Sequence, residues 1–192
     1  MISLSEREIE KATKLLRNIP GGVEKAIVST INKSIYGAKT DSTKRVTQEY
    51  VIKQARVREV IQVLKASKNN LSARIISRGR PRALTYFKTN PRDVPRKRLK
   101  KLLRAQVKKG AGGPIKNAFL ARMKSGHLGV FHRTGKTREN SKLEIIKQNY
   151  GPSIAQMLGA KSVVAYVEEK AQKRIEKNLN HEIERILKGY GK

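Results

Sequence analysis

The sequence contains no cysteine and no tryptophan, and aromatic residues make up only 5% of it. The first absence removes disulfides and thiolate metal sites and leaves the redox compartment open. Scarce aromatics, with an apolar fraction of 38%, point to a modest core and to surface or loop that relies on a partner. Long apolar runs are missing as well, none approaching the roughly 20 residues of a membrane span. The opening MISLSEREIEKATKLL is charged from Glu6 onward and does not resemble a signal peptide. The expectation is a soluble protein, made in the cytosol, with no membrane partner.

Negative charge is the other shortage. The chain carries 44 Lys and Arg against 15 Asp and Glu, a formal net charge of +29. Residues 60–138 hold 22 of those cations and a single acid, Asp93. A free domain with so much like charge repels itself, so a polyanion or an acidic protein surface belongs beside it in the working state. Nucleic acid is the first candidate.

What is present reads as one α+β domain over 1–192, with no internal repeat. Ser5-Glu6-Arg7-Glu8 is a capping box, and the helix behind it puts Ile9, Ala12, Leu16 and Ile19 on one face. Pro20-Gly21-Gly22 ends it. A second helix of about seven turns follows, with a stripe of Val23, Ala26/Ile27, Thr30/Ile31, Ser34 and Ala38. Its small residues Ala26, Ser34, Gly37 and Ala38 admit close packing. Residues 1–49 are thus a helix pair.

Residues 50–158 are mainly β. Short alternating runs at 62–66 and 71–77 flank the turn Ser67-Lys68-Asn69-Asn70. Residues 83–88 read as another strand, with Leu84 and Tyr86 on one face. Two apolar runs, 118–123 and 128–131, surround Lys124-Ser125-Gly126 and make an antiparallel pair closed by a polar loop at 133–136. A third run over 142–147 stops at Tyr150-Gly151-Pro152-Ser153. Between them, residues 89–117 contain a candidate strand at 102–108 but too little apolar surface to order themselves, which predicts a long basic loop or arm. The chain closes with an amphipathic helix over 160–188. Its stripe is Val164, Val167, Ala171, Ile175, Leu179, Ile183 and Ile186/Leu187, and Glu168, Glu169, Glu176, Glu182 and Glu184 lie among Lys170, Lys173, Arg174, Lys177 and Arg185, allowing i,i+4 pairs.

Catalytic chemistry has little to stand on. His127 and His132 have no cluster of acids nearby to build a metal site or orient a base, and strand alternation puts them on opposite faces. Residues 110–114 lack the GK[ST] of a phosphate loop, and Gly126 and Gly129 have no GxGxxG context. A nuclease would want carboxylates for Mg²⁺, and the basic half offers only Asp93. The reading is a non-enzyme with no cofactor, metal or small-molecule substrate. The cations Arg92, Arg96, Lys97, Arg98, Lys100, Lys101, Arg104, Lys108 and Lys109 can neutralise phosphates without reading bases. The same arm would also suit an acidic protein neighbour.

Nearly the whole chain resembles a known family. AFLARMKSGHLGVFHRTGK followed by YGPSIAQML is similar to the minor tail protein Z, or tail completion, family of bacteriophages and prophages. So are INKSIYGAKT in the helix pair, LKASKNNLSARIISRG and the C-terminal helix. The most specific positions are Phe119, Met123, Gly126, His127, Gly129, Phe131, Arg133, Tyr150, Gly151 and Pro152. Over residues 137–141 the chain departs from the family pattern with a polar stretch in place of a shorter, more apolar link. The resemblance implies a non-catalytic virion protein at the head-proximal end of the tail. Its implied neighbours are the tail terminator, tube, tape measure protein and head connector, with several copies forming a homo-oligomer, as in a ring. A DNA contact fits the charge. The alternative from another class is a free, sequence-independent nucleic-acid-binding protein.

Overall fold

At the start of the chain a capping box forms at Ser5, and the Glu8 carboxylate accepts from the Ser5 amide at 2.8 Å and its hydroxyl at 2.7 Å. The structure, a computed structural model, describes residues 2–97, 101–137 and 143–189. In chain order the elements are α1 (Glu6–Leu16), α2 (Gly22–Glu49), α3 (Gln54–Arg58), β1 (Ile61–Leu64), β2 (Arg74–Ser77) and β3 (Arg82–Ala83). A 3-10 turn over Leu84–Tyr86 leads to β4 (Lys88–Asn90), β5 (Arg104–Lys108), β6 (Ala111–Pro114) and β7 (Ala118–Arg122). Then come β8 (Leu128–Thr137), β9 (Glu144–Gln148), β10 (Tyr150–Gly151), α4 (Ile154–Leu158) and α5 (Lys161–Leu187). The strands form small antiparallel sheets, β1–β2, β10–β3, β4–β5–β6 and β7–β8–β9. This is the α+β fold expected from the order of elements.

The described residues within Met1–Arg45, Arg58–Arg78 and Leu158–Lys192 make one compact unit. Its core joins Ala12 and Leu16 of α1, Ala26, Ile27, Ile31 and Ile35 of α2, and Ile175, Leu179, Ile183 and Ile186 of α5. The stripes read from the sequence supply these residues except Ile35, and two stripe positions, Ile9 and Val164, are exposed. Val163 is buried at the start of α5 while Val164 is 37% exposed. Spacings of three and four leave the first turn of a stripe open by one residue, and packing selected Val163. The β1–β2 hairpin is tied to α2 by Asn32, whose amide donates to the Ala66 carbonyl at 3.0 Å and accepts from the Ala66 amide at 2.8 Å.

The small residues of α2 admit polar side chains of α5. The Arg174 guanidinium lies over Gly37, where a Cβ would stand 2.4 Å from its Nε, and donates to Asp41 Oδ2 at 2.7 Å. Asn178 donates to Ser34 Oγ at 3.0 Å. Glu182, one of the acids read as available for pairs along the helix, does pair with Arg185 but is wholly buried and bonded to Lys33 of α2 as well. It occupies a core-facing position one residue before Ile183, where helical periodicity alone places a side chain at the stripe's margin. Burial pushes its carboxyl up, but hydrogen bonds from Lys33, Arg185 and Ser29 outweigh that and hold it below its ordinary value.

The described residues within Val46–Val57 and Gly79–Met157 make the second unit. Here three sequence expectations change. Residues 83–88 are not one strand, because the Phe87 amide closes a 3-10 turn on the Leu84 carbonyl at 3.0 Å. Leu84 is therefore buried while Tyr86 is exposed, with Arg56 and Arg82 over its ring. The polar residues 133–136 belong to β8, whose register with β9 shifts between Arg133 and Thr137. Residues 138–142, most of the polar stretch that departs from the family pattern, lie outside the described residues.

The third change concerns the basic segment 89–117, expected as a long loop or arm around a candidate strand at 102–108: that strand is β5, and β4 and β6 pair with it on either side. Its order comes from backbone pairing and one apolar anchor. Val51 donates to the Val107 carbonyl and Lys109 to the Glu49 carbonyl, each at 2.8 Å, and Leu103 is only 1% exposed. Composition counts side-chain apolar area and misses hydrogen bonds that any sequence can make.

Gly151 on β10 shows how tightly this unit is packed. A Cβ there would lie 2.6 Å from the buried Phe87 ring, which has no flexible end to yield. Gly151→Ala should destabilise the unit by about 1–3 kcal/mol, read as a lower urea midpoint with an unchanged slope.

Candidate nucleic-acid interface

Of the most specific residues of the family resemblance, Phe119, Met123, Gly126, His127, Gly129, Phe131 and Arg133 lie along the β7–β8 hairpin, and Tyr150 and Gly151 form β10. Gly126, at φ 80°, turns the hairpin and donates to the Met123 carbonyl at 2.8 Å, while Met123 donates to the His127 carbonyl at 2.9 Å. Phe119 stands opposite Phe131 in register, ring centroids 6.3 Å apart, and the Arg133 guanidinium lies 5.5 Å from the Phe119 centroid. Arg133 also pairs with Glu144 at 2.9 Å. Gly129 is required where it is, since a Cβ would fall 2.8 Å from the Phe131 ring. Beyond β9, Tyr150 donates to Gln148 Oε1 at 3.0 Å, and Pro152 precedes a reciprocal cap in which Ser153 Oγ accepts from the Gln156 amide.

The two histidines are separated in this arrangement. His127 is exposed with Nε2 2.9 Å from Gln148 Nε2, and His132 on β8 has Nδ1 2.7 Å from Asn149 Oδ1. Among the described residues no group of three or more His, Cys, Asp or Glu is placed to hold a metal ion. No helix among them is long and apolar enough to cross a membrane.

The cations singled out from the sequence take two positions. Arg92, Arg96, Lys97 and Lys101 are exposed between β4 and β5. Arg104 and Lys108 are exposed on β5, and Lys109 is exposed in the turn before β6. Arg98 and Lys100 lie outside the described residues. Among the described residues none of these seven forms an ion pair with an acid. Asp93, the one acid of the region, is engaged elsewhere. The Val94 amide, 2.8 Å away, holds its carboxyl below the ordinary range, assisted by Arg122 at 3.2 Å. These cations are thus exposed without an acidic partner among the described residues, and Lys108 also lies 5.6 Å from the Tyr50 ring centroid.

Sequence reasoning missed three residues of this surface. Strand register sets Lys88 opposite Gln106 and Asn90 opposite Arg104, and all four border a cleft of about 330 Å³ that Gly110 and Gly112 also line. The alternation Lys88, Thr89, Asn90 was readable, but only the pairing of β4 with β5 brings it to Arg104.

Residues 6–192 match the family model described as Prophage minor tail protein Z (GPZ). No curated protein and no solved structure matches the chain. With its mixed helix-and-sheet fold and a match over nearly its full length, the chain belongs to the prophage minor tail protein Z family, structural proteins of the phage tail that reside in the virion and contact other tail proteins.

Proposed function

We propose that this protein acts in tail completion at the head-proximal end of the tail, as one of several copies arranged about the tail axis, with the basic surface of its second unit turned toward the DNA path. The observation that carries this reading is the set of seven exposed cations without an acidic partner, in a chain of net charge +29 from a tail-protein family. Tail terminator, tube, tape measure protein and head connector are the proposed neighbours. Phe119, Arg133 and Tyr150, with the motif around them, serve those protein contacts. The role is structural, without a catalytic step, metal, cofactor or small-molecule substrate, and the chain is made in the host cytoplasm before joining the particle.

A second reading, a free sequence-independent nucleic-acid-binding protein, draws on the same cations. The two part on assembly state. Purified protein should bind duplex DNA without sequence preference, with a log–log salt slope of about −0.9 per neutralised phosphate. Light scattering of the same sample separates rings from monomers. Tight binding by a persistent monomer favours the free binder, and no binding at low salt removes DNA from both readings.

Exchanging Arg92, Arg96, Lys97 and Lys101 for glutamine should reduce that slope by roughly 3–4 while tails still assemble. In particles carrying the variant, positioning of the genome end should fail. Normal DNA placement would count against a cationic lining of the path.

A further inference from the structure

We infer that the open face of the β4–β5–β6 sheet is a seat for a phosphodiester backbone, with Lys88 and Arg104 as its charged partners and Asn90 and Gln106 as its amide donors. The inference rests on the DNA-facing reading above and deepens it, adding a defined sheet surface to the contact made by the loop cations.

Residues directly opposite in an antiparallel pair share a face, so Lys88 with Gln106 and Asn90 with Arg104 form a two-by-two block of polar side chains. Thr89, between Lys88 and Asn90, points to the other face and is buried. Diagonal neighbours in such a block are about 7–8 Å apart, which sets the Lys88 and Arg104 stems beside one another without crowding.

The third strand leaves this face open. β6 reads Ala-Gly-Gly-Pro, about the poorest composition for a strand, and glycine within a strand marks a place where another backbone or a ligand approaches closely. With nothing longer than proline on β6, the surface falls away beside the cations into the cleft that Gly112 helps line. At Gly112 a Cβ would stand 2.9 Å from Gln106 Cβ, so glycine is what lets the Gln106 side chain lie along the sheet.

Charge and chemistry complete it. Neither Lys88 nor Arg104 pairs with an acid among the described residues, and Asp93 is held by Arg122. A guanidinium fork, an ammonium and two carboxamides are donors matched to non-bridging phosphate oxygens. The described residues lining the cleft include no aromatic ring and no large apolar side chain, so none of them stacks a base or houses a nucleoside. The seat is for backbone, independent of sequence.

The test uses the full chain, a labelled 20-base-pair duplex and a salt series from about 50 to 200 mM. Lys88→Gln/Arg104→Gln should lower the log–log slope by about 1.8. Lys88→Arg/Arg104→Lys should keep it, and Asn90→Ala/Gln106→Ala should weaken binding without changing it. Circular dichroism confirms that each variant is folded. If Lys88→Gln/Arg104→Gln keeps the wild-type slope while the Arg92, Arg96, Lys97 and Lys101 variant loses its share, the seat is overturned and the DNA reading stands. If the wild-type chain binds no duplex at 50 mM salt, the DNA reading itself fails and takes the seat with it. Amide NMR distinguishes the source of the phosphate. Duplex should shift the Gln106 and Gly112 signals, and 10 mM inorganic phosphate at matched ionic strength should leave them in place. Saturable shifts with inorganic phosphate and none with duplex would overturn the backbone assignment.

Discussion

Replacing Glu182 with alanine should destabilise the first unit by about 2–3 kcal/mol. Removing one partner of a buried pair ordinarily costs about 3–5 kcal/mol. The smaller figure applies because the side chains of Lys33 and Arg185 are 51% and 35% exposed and regain water when Glu182 leaves. Glu182 itself is fully buried on α5 beside Lys33 of α2, so the change also removes packed atoms. Urea denaturation of the variant against the wild type measures the loss. Glu182→Met combined with Lys33→Met should recover most of it, since a buried ion pair is replaceable by apolar side chains of similar volume.

Acid should reproduce part of the effect. The folded carboxyl of Glu182 lies below its ordinary value of 4.5. A group depressed on folding contributes stability that is complete above its unfolded value and drains as pH falls through the folded one. The gap between wild type and Glu182→Gln should therefore be level from neutrality to about pH 4.5 and narrow below it. A gap that widens on acidification would mean that burial, not Lys33 and Arg185, governs this carboxyl.

Leu103→Ala should cost the second unit about 2–4 kcal/mol, whereas Leu102→Ala should change stability by less than about 0.5 kcal/mol. The adjacent leucines differ in where they point: Leu103 is 1% exposed and Leu102 53%. Leu103 also presents its carbonyl to the Ile115 amide at 2.8 Å, so it holds the strand carrying Arg104 against the strand behind it. Hydrogen exchange at Ile115, Val51 and Lys109 should speed up in Leu103→Ala and not in Leu102→Ala. Unchanged protection in both would mean that backbone pairing alone orders the segment. A loosened hairpin should weaken duplex binding as well, through a misplaced Arg104 rather than a lost charge.

The element types were largely open to sequence reasoning, because their signals are local. A capping box, stripes at three and four and a glycine-bearing turn at 126 need no tertiary partner to be recognised. The family resemblance was equally local, resting on glycines and aromatics that proved to be contacts: Gly129 against Phe131, Phe119 beside Phe131, Gly151 against Phe87. Composition alone determined that the chain carries +29 and that one acid serves residues 60–138. What only the tertiary structure decided were the properties set by pairing between distant segments. Glu182 reads as one more helical acid until α2 supplies Lys33 and Ser29 around it, and burial then makes it a core residue. The basic segment reads as an arm until β4 and the end of α2 offer hydrogen-bond partners, which cost no apolar side chain and leave no mark in composition. Lys88 belongs to the cationic face because a register sets it opposite Gln106, and register is a relation between two strands that neither strand contains by itself.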